Sequence, residues 1–433
     1  MTFGIAVGVG NTIGTGILRT PGEVAGYLGS ASLLFVVWIL GGVYALLGSS
    51  SLTELGVMLP KAGGWYVYSA RAFGERIGFV VGCCDFIVQC VAIAYLAVAM
   101  GEFTAGLFPT LADHARLIAV AGLALLTFLN WVGLRAGSRA QELTSLAKAL
   151  GLLALVVACF TISPSASASL STVASNLLGS KPGLFLGLVL ALQGVIITYD
   201  GWYAPIYFVE EDQDPARNLP RSMIGTTLSC IVIFSLMNAA MFHVLRMDHL
   251  AGAQMPAADA ATLVFGRFGK PFILLISLVA VISSINAGLL YVPRILFAMA
   301  RDRLLPRSVT SVNKGGTPEL ALLLCALASV VLVLTGTFDT LIAMGAILFV
   351  AVYLSGFISL LVLRRKEPQL PRPYKVWWYP WSTLAVSLAS AAFLVGSVLG
   401  DLKHSLFTVI LILLTYAASL LIVRRKSAQP SEV

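Results

Sequence analysis

Residues 8–16 read GVGNTIGTG inside the first apolar stretch of this chain, and residues 198–202 read TYDGW inside the sixth, with Pro205 shortly after. Glycine and proline weaken a helix at such places. Interrupted helices at membrane depth persist only where they are buried or line a cavity. Gly-interrupted segments at corresponding places in two halves of a chain indicate the site of a secondary transporter. The two interruptions lie five apolar stretches apart, which predicts an inverted repeat with the site at its two breaks.

Glycines in membrane helices also form packing faces where two helices approach each other closely. We prefer that interpretation for Gly41, Gly42 and Gly151. For the two interrupted stretches we prefer the interpretation as a site.

The composition indicates an integral membrane protein. Hydrophobic residues make up 58% of the 433 residues and charged residues 11%, whereas soluble domains carry about 25% charged residues. A helix needs about 20 residues to cross the hydrocarbon core. Twelve apolar runs have about that length, and because they are continuous rather than alternating, they predict α-helices and not barrel strands. The predicted spans are 4–28, 31–59, 78–106, 116–134, 141–162, 184–210, 221–245, 270–299, 319–336, 338–363, 379–399 and 405–423.

The distribution of basic residues predicts the topology. Twenty of the 28 Lys and Arg residues lie in segments that a cytoplasmic amino terminus would place inside, and seven lie in segments placed outside. Cytoplasmic loops of membrane proteins carry such an excess. We therefore expect a multi-pass protein of the cell (inner) membrane with both termini in the cytoplasm. The net charge of +8 is attributed to topology first and to contact with lipids second, not to nucleic acid.

Several function classes lack their sequence signatures. The six cysteines all fall inside apolar spans, where they act as small packing residues, so neither a disulfide framework nor a zinc site is expected. The four histidines are scattered near span ends and form no metal or triad pattern. No phosphate-binding loop of the GxxxxGKS or GxxxxGKT type occurs. These features favour a carrier without a cofactor over a membrane enzyme, a channel or an ATP-driven pump.

Several motifs occur in a fixed order along the chain. They are GNTIGTGI at 10–17, TELG at 53–56 with PKAGGWY at 60–66, YDGW at 199–202, EED at 210–212 with DPARNLP at 214–220, and Asn286 and Arg294 with ARD at 300–302 and LP at 305–306. In this order they resemble the amino acid–polyamine–organocation (APC) superfamily, most closely its L-type amino acid transporter branch. The likeness covers nearly the whole chain.

The resemblance implies a LeuT-type fold in a single transmembrane domain, residues 1–433. Helices 1–5 (1–162) and 6–10 (184–363) would form a 5+5 inverted repeat with helices 1 and 6 broken, and helices 11 and 12 (379–423) would be appended. It also implies that an amino acid is moved by alternating access, by proton symport or by exchange. Two alternatives stay open: a carrier of amines, polyamines or other amino-acid derivatives, and a non-transporting membrane scaffold.

By the same resemblance, backbone groups at the two breaks hold the substrate zwitterion. The N–H groups and positive dipole end of the helix after the first break suit a carboxylate, and carbonyl groups freed at both breaks suit the ammonium group. The carboxylate would bind at Gly14, Thr15 and Gly16, the ammonium group at Thr12, Ile197 and Asp200, and Tyr199, Gly201 and Trp202 complete the site. The family usually has a large aromatic lid where this chain has Ile197, so Tyr199, Trp202 or Tyr203 compensates, or the pocket accepts a different side chain.

Charged residues inside the predicted spans need a role, because a charge at the bilayer centre costs about 2.5–3.5 kcal/mol on insertion scales. Asp200, beside the second break, is expected to organise the unwound backbone or to contact the substrate. Glu54 belongs to the TELG motif and is expected to bind helix ends or loop groups. Asp85 and Glu102 are expected to be structural or rim residues.

Lys148 is the candidate for ion coupling. In the proton-dependent members that the chain resembles, a lysine at the matching place in helix 5 occupies the region of a sodium site and bridges helices 1, 5 and 8. The resemblance therefore implies proton coupling at Lys148, with Ser283, Ser284 and Asn286 as its partners, and it argues against sodium. The alternative is a side chain that extends toward the cytoplasmic interface.

Eukaryotic members of the L-type branch pair with a glycoprotein heavy chain through a cysteine in the loop between helices 3 and 4. The corresponding residues 107–115 contain no cysteine, so no disulfide-linked heavy chain is expected. The expected partners are the amino acid, protons and membrane lipids.

Overall fold

The computed structural model describes residues 2–161 and 183–428 and consists of α-helices joined by short connections. Within these ranges, the only strand-like pairing is a bridge between Val312 and Pro318. The α-helices in chain order are α1 Thr2–Thr12, α2 Gly16–Leu28, α3 Ala31–Met58, α4 Trp65–Phe73, α5 Glu75–Leu107, α6 Ala115–Val132, α7 Leu134–Thr161, α8 Leu184–Thr198, α9 Pro215–Val244, α10 Met247–Leu250, α11 Pro256–Phe265, α12 Gly269–Tyr291, α13 Pro293–Arg301, α14 Glu319–Thr335, α15 Phe338–Lys366, α16 Trp381–Gly400 and α17 Leu402–Ala428. Short 3-10 helices lie at Pro109–His114, Ala204–Glu211, Gly266–Phe268 and Arg307–Thr310.

The helices account for the hydropathy of the chain. Among the described residues, nine helical segments are long and apolar enough to cross a membrane. Three shorter apolar helices, Phe3–Thr12, Leu184–Thr198 and Glu319–Thr335, have 10–17 residues each. The all-α fold class is therefore confirmed. These twelve segments coincide with the twelve predicted spans, but the three short ones do not reach a span's length by themselves, so the count of twelve crossings stays a prediction.

Two connections contain helices that the hydropathy pattern does not predict. The nine-residue helix α4 lies between α3 and α5, and α10 and α11 occupy much of the connection 246–269 between two predicted spans. A search for runs of about 20 apolar residues does not detect helices this short. The other long predicted connection, 163–183, lies outside the described residues except for Gly183.

The two interrupted stretches pack side by side. α1 ends at Thr12 and α2 begins at Gly16, while α8 ends at Thr198 and the chain continues through a turn into the 3-10 helix Ala204–Glu211. Contacts between the two stretches pair Phe3 with Phe208, Asn11 with Gly201, and Thr20 with Thr198. Residue numbers rise along one stretch as they fall along the other, so the two stretches run antiparallel.

Aromatic side chains fill one end of the space between the helices. Trp65, Trp202, Tyr203 and Tyr353 are all buried, and the centroids of every pair of their rings lie 5.3 to 6.5 Å apart. We call these four residues the aromatic plug, and the end of the molecule that contains it the closed end. Such aromatic pairs stabilise a packed core beyond the area that they bury.

Glu54 joins three segments near the closed end. It is fully buried on α3 and accepts two hydrogen bonds from Arg364 of α15, at 2.7 and 2.5 Å. Arg372 Nε lies 3.3 Å from Glu54 Oε1, and the backbone N–H of Val376 donates to Glu54 Oε2 at 2.7 Å. The predicted role, binding of loop groups and helix ends, agrees with this geometry: the carboxylate ties α3 to the end of α15 and to the connection that follows it.

We predict that Glu54→Gln lowers the midpoint of thermal unfolding in detergent by about 5 °C. Removing one partner of a buried ion pair costs about 3–5 kcal/mol because the remaining charge is left unpaired. Arg71→Ala is the matched control, since Arg71 is half-exposed and its pair with Glu367 resembles surface pairs worth about 0–1 kcal/mol. Equal midpoints for both variants would show that Glu54 is not a structural anchor.

Candidate functional site

The first break exposes backbone donors at the start of α2. Residues 13–15 separate α1 from α2, and Thr15 is the residue that precedes the first turn of α2. The first N–H groups of any helix lack partners within it, and for α2 these belong to the residues that begin at Gly16. They carry the positive end of the helix dipole. This break therefore provides a site that favours a negative group.

The second break is formed by a turn whose backbone geometry favours glycine at position 201. Its φ angle is +108°, a conformation that residues with a side chain rarely adopt. Its carbonyl oxygen accepts a hydrogen bond from Asn11 Nδ2 at 3.3 Å, and Thr198 Oγ1 donates to Thr20 Oγ1 at 2.8 Å. These two contacts hold the breaks together from both sides.

A cavity of about 1000 Å³ lies between the two breaks and opens at the end of the molecule opposite the aromatic plug, which we call the open end. Six of the nine predicted substrate-binding residues line it: Thr12, Gly14, Thr15, Gly16, Ile197 and Asp200. The remaining wall is mostly apolar, from α5, α8, α15 and α16, and its mouth is formed by residues near Phe185, Gly400 and Asp401.

The other three predicted residues do not line the cavity. Tyr199 is buried against Trp38 and Phe234, with ring centroids 6.0 and 4.9 Å away. Trp202 belongs to the aromatic plug, and Gly201 faces the end of α1. These three residues shape the break and do not face the space that a ligand would fill.

The carbonyl groups predicted to be free are already engaged. Thr12 O accepts from Gly14 N at 2.9 Å, and Ile197 O accepts from Asp200 N at 3.1 Å and also from Tyr199 N. A carbonyl oxygen has two lone pairs, so Thr12 O retains capacity for a second donor, whereas Ile197 O already has two. The side chain of Asp200 offers more, because its Oδ1 is buried and has no hydrogen-bond partner among the described residues.

Lys148 is buried and donates to the first break. Its Nζ lies 2.6 Å from both Gly10 O and Ile13 O, and the side chain is 1% exposed. These carbonyl groups lie at the carboxyl end of α1, where a helix leaves its last acceptors unpaired and favours a cation. The side chain does not extend toward an interface.

The predicted partners of Lys148 lie close by but bond elsewhere. Ser284 Oγ donates to Gly10 O at 3.0 Å, so it shares an acceptor with Lys148. The hydroxyl of Ser283 is hydrogen-bonded to the side chains of Gln141 and Ser145. Asn286 donates to Gly137 O and to the side chain of Gln141, and it accepts from Asn130. Within the described part of the chain, Lys148 thus meets backbone carbonyls of the break rather than the side chains of α12.

The mouth of the cavity carries charges of both signs. Arg19 and Glu23 of α2 and Asp401 line it. Hydrogen bonds from the ring and the backbone N–H of His404 hold the pKa of Asp401 below the usual range of an aspartate. No group of three or more metal-ligating side chains occurs in the described ranges. The lining of the cavity therefore combines backbone groups of the two breaks with a few polar and charged side chains in a mostly apolar wall.

A model of the amino acid permease family matches residues 1–416. The chain belongs to this family. Its relatives include the serine/threonine exchanger SteT of Bacillus subtilis (strain 168), 26% identical over 92% of this chain and 90% of that protein. The Asc-type amino acid transporter 1 of Mus musculus is 30% identical over 85% and 70% of the two chains. The large neutral amino acids transporter small subunit 2 of Mus musculus is 31% identical over 85% of this chain and 70% of that protein.

These relatives confirm the resemblance to the APC superfamily and its L-type branch. The family and its relatives are permeases and transporters, not enzymes, so the preference for a carrier over a membrane enzyme is confirmed. The membrane-spanning character of the family also agrees with the apolar helices of this permease.

Sequence reasoning missed three polar residues of the permease cavity. Asn11, Gln89 and Tyr291 all line it. Tyr291 donates to Gln89 Oε1 at 2.8 Å, and Asn11 donates to the Tyr291 hydroxyl at 3.3 Å. Asn11 lies within the quoted motif, and Gln89 is a polar residue in the middle of a long apolar span. A single amide side chain in an otherwise apolar span was the sequence feature that could have identified Gln89.

Proposed function

We propose that this permease is a secondary active transporter that moves amino acids across the cell membrane by alternating access, as an exchanger or a proton symporter. The observation that carries the proposal is the cavity lined by both breaks, with helix-start N–H groups near Gly16 on one side and Asp200 on the other. The partly positive start of α2 and the carboxylate of Asp200 thus face each other across a space large enough for an amino acid. The functions for which the relatives are named, exchange of serine and threonine and transport of neutral amino acids, support the same substrate class.

The zwitterion would be held mainly by backbone. The N–H groups of Thr15 and Gly16, and that of Gly14 once it leaves Thr12 O, would bind the carboxylate. Thr12 O would accept from the ammonium group, and Ile197 O would join it once one of its two backbone donors leaves. The unpartnered Oδ1 of Asp200 supplies a charged acceptor beside them. Charge-assisted hydrogen bonds are roughly twice as strong as neutral ones, so Asp200 would contribute directly to binding.

The proposed architecture is the LeuT-type fold with twelve crossings. α1–α7 would form the first repeat, α8–α15 the inverted second repeat, and α16 and α17 the appended helices. The antiparallel course of the two interrupted stretches supports this relation. A short helix on each side of a break would share one crossing, which explains why α1 and α8 are shorter than a span.

We further propose that the closed end faces the cytoplasm, because the excess of Lys and Arg lies there. Ion pairs reinforce that end: Glu210 with Arg301 at 2.5 Å and Glu211 with Arg294 at 2.7 Å. The cavity would then face outward. Transport would require the plug and these pairs to separate while the mouth closes. The chain would act without a disulfide-linked heavy chain.

Uptake into liposomes tests the proposal. Purified protein is reconstituted, and radiolabelled amino acids are offered with an inside-alkaline pH gradient, with unlabelled substrate inside, or with neither; empty liposomes are the control. Stimulation by internal substrate would identify an exchanger, and stimulation by the gradient a proton symporter. If folded protein takes up no amino acid, the proposal is wrong, and the same assay is repeated with amines and polyamines.

A further inference from the structure

A buried carboxylate lies one helical turn beyond the floor of the cavity. Asp85 is fully buried on α5, four residues before the cavity-lining Gln89, on the side of the closed end. Its hydrogen-bond donors are Tyr207, at 2.7 Å, and Gln89, at 3.3 Å. Both donors are neutral, and no ion pair to Asp85 occurs in the described part of the chain. A buried carboxylate without a cation is costly, so its retention at this position requires a reason.

Asp85 is connected to the cavity through side chains and not merely close to it. Gln89 accepts from the hydroxyl of Tyr291, which also lines the cavity, and donates to Asp85. Tyr207 stacks on Tyr291 with ring centroids 4.9 Å apart. Asp85 is therefore covered by Gln89, which lines the cavity, and by Tyr207, which stacks on the cavity-lining Tyr291, and movement of these side chains would uncover it.

Asp85 also lies on the way to the closed end. Tyr207 is on the 3-10 helix that follows the second break. The guanidinium carbon of Arg294 lies 4.3 Å from the ring centroid of the next residue, Phe208. Arg294 in turn pairs with Glu211. If these pairs separate, a molecule that leaves the cavity past Gln89 meets the carboxylate of Asp85 before it meets any of the charged groups of the closed end.

We propose that Asp85 is a second subsite, which receives the ammonium group of the amino acid on its way between the cavity and the closed end. The inference rests on the proposed function. One hydroxyl and one amide donate to Asp85, and because a carboxylate has about four lone-pair sites, it can still accept hydrogen bonds from a cation. An amide separates it from the cavity, and an amide neither gains nor loses a proton as a hydroxyl or carboxyl group does, which favours an ammonium group over a proton as the occupant.

The test compares binding with turnover in purified wild type and Asp85→Asn, using radiolabelled L-serine or L-leucine, whichever the wild type exchanges faster. Equilibrium binding in detergent is expected to change less than about twofold, because Asp85 does not line the cavity. Exchange in liposomes is expected to fall at least about tenfold in kcat, at acidic and alkaline pH alike. Asp259→Asn on α11 is the matched control for an acid-to-amide change away from the path, and it should exchange like wild type.

Tyr207→Phe is the second variant and keeps the charge of Asp85. Because it removes a donor that competes for the carboxylate, the KM measured from the closed end should fall about threefold or more. An unchanged KM, together with parallel losses of binding, exchange and thermal stability in Asp85→Asn, would assign Asp85 a structural role and overturn the proposal.

Two other outcomes are equally decisive. If Asp85→Asn exchanges substrate at the wild-type rate, the subsite is overturned. If that variant exchanges normally but loses the uptake driven by the pH gradient, Asp85 is a proton carrier instead. If the wild type itself exchanges no amino acid in the full panel, the proposed function fails, which is a separate result from a failure of the subsite.

Discussion

Lys148→Met is expected to lower transport at least about 100-fold, whether exchange or gradient-driven uptake is measured. Methionine has a similar length but no donor, so the carbonyl oxygens of Gly10 and Ile13, each 2.6 Å from Lys148 Nζ, lose their charged partner. Hydrogen bonds to charged groups contribute about 1.5–3 kcal/mol each, and about 2.7 kcal/mol corresponds to a factor of 100. The hydroxyl of Ser284 would still donate to Gly10 O, but it would not replace the hydrogen bond to Ile13 O. The first break would therefore lose the geometry that directs the start of α2 into the cavity.

Uptake assays in liposomes measure this effect, with thermal unfolding in detergent to establish that the variant is folded. Leu146→Ala serves as the control on the same helix, since Leu146 is 59% exposed on the surface of the bundle. It should transport like wild type. Transport by Lys148→Met above about one tenth of the wild-type rate would contradict a bracing role.

Lys148→Gln separates bracing from coupling. Glutamine retains donors that can reach one of the two carbonyls but cannot carry a proton. We expect exchange to persist at about one tenth of the wild-type rate, since a neutral hydrogen bond is roughly half as strong as a charged one. Stimulation by the pH gradient is expected to disappear. If the gradient still drives uptake in this variant, protons are coupled at another residue and Lys148 is a brace only.

Much of the fold follows from hydropathy, and the exceptions have a common cause. Each run of about 20 apolar residues is mainly helical because the backbone in a membrane must satisfy its own hydrogen bonds, and the runs 4–28 and 184–210 are divided by the two breaks. The helix α4 escaped prediction because its burial depends on partners distant in sequence: Trp65 packs on Trp202 and Tyr353. No local window contains that information.

The lining of the cavity was predictable where it consists of backbone at the breaks and unpredictable where it depends on side-chain networks. The residues around Gly14 and Gly16 could be placed because several glycines so close together interrupt a helix. Ile197 and Asp200 were implied by the family resemblance, and both line the cavity. The pairing of Gln89 with Tyr291 joins residues that are 202 apart in the sequence, and no motif marks it. The acceptors of Lys148 were likewise hidden, because backbone carbonyls have no signature in a sequence.

Gly201→Ala is expected to reduce transport at least about 100-fold by forcing the two breaks apart. A residue with a side chain is strained at a φ of +108°, at a cost of about 1–3 kcal/mol. The added methyl carbon would also lie 2.7 Å from Asn11 Nδ2 and within 2.9 Å of backbone atoms of Asn11 and Thr12. Backbone cannot move aside as the end of a flexible side chain does, and overpacking costs about 1–3 kcal/mol more. The end of α1 would shift, and with it the carbonyls and N–H groups that face the cavity.

Two control glycines separate the parts of this effect in the same uptake assay. Gly252 has a φ of +81°, but a methyl carbon added there would meet no atom within 4 Å, so Gly252→Ala tests strain without a clash. Gly225 lies in α9, where an added methyl carbon would make only ordinary contacts with Ile5, so Gly225→Ala tests an added methyl group without strain. Both controls should transport at more than about half of the wild-type rate. If Gly201→Ala does the same, the close approach of the two breaks is not required for transport, and the zwitterion must be held by one break alone.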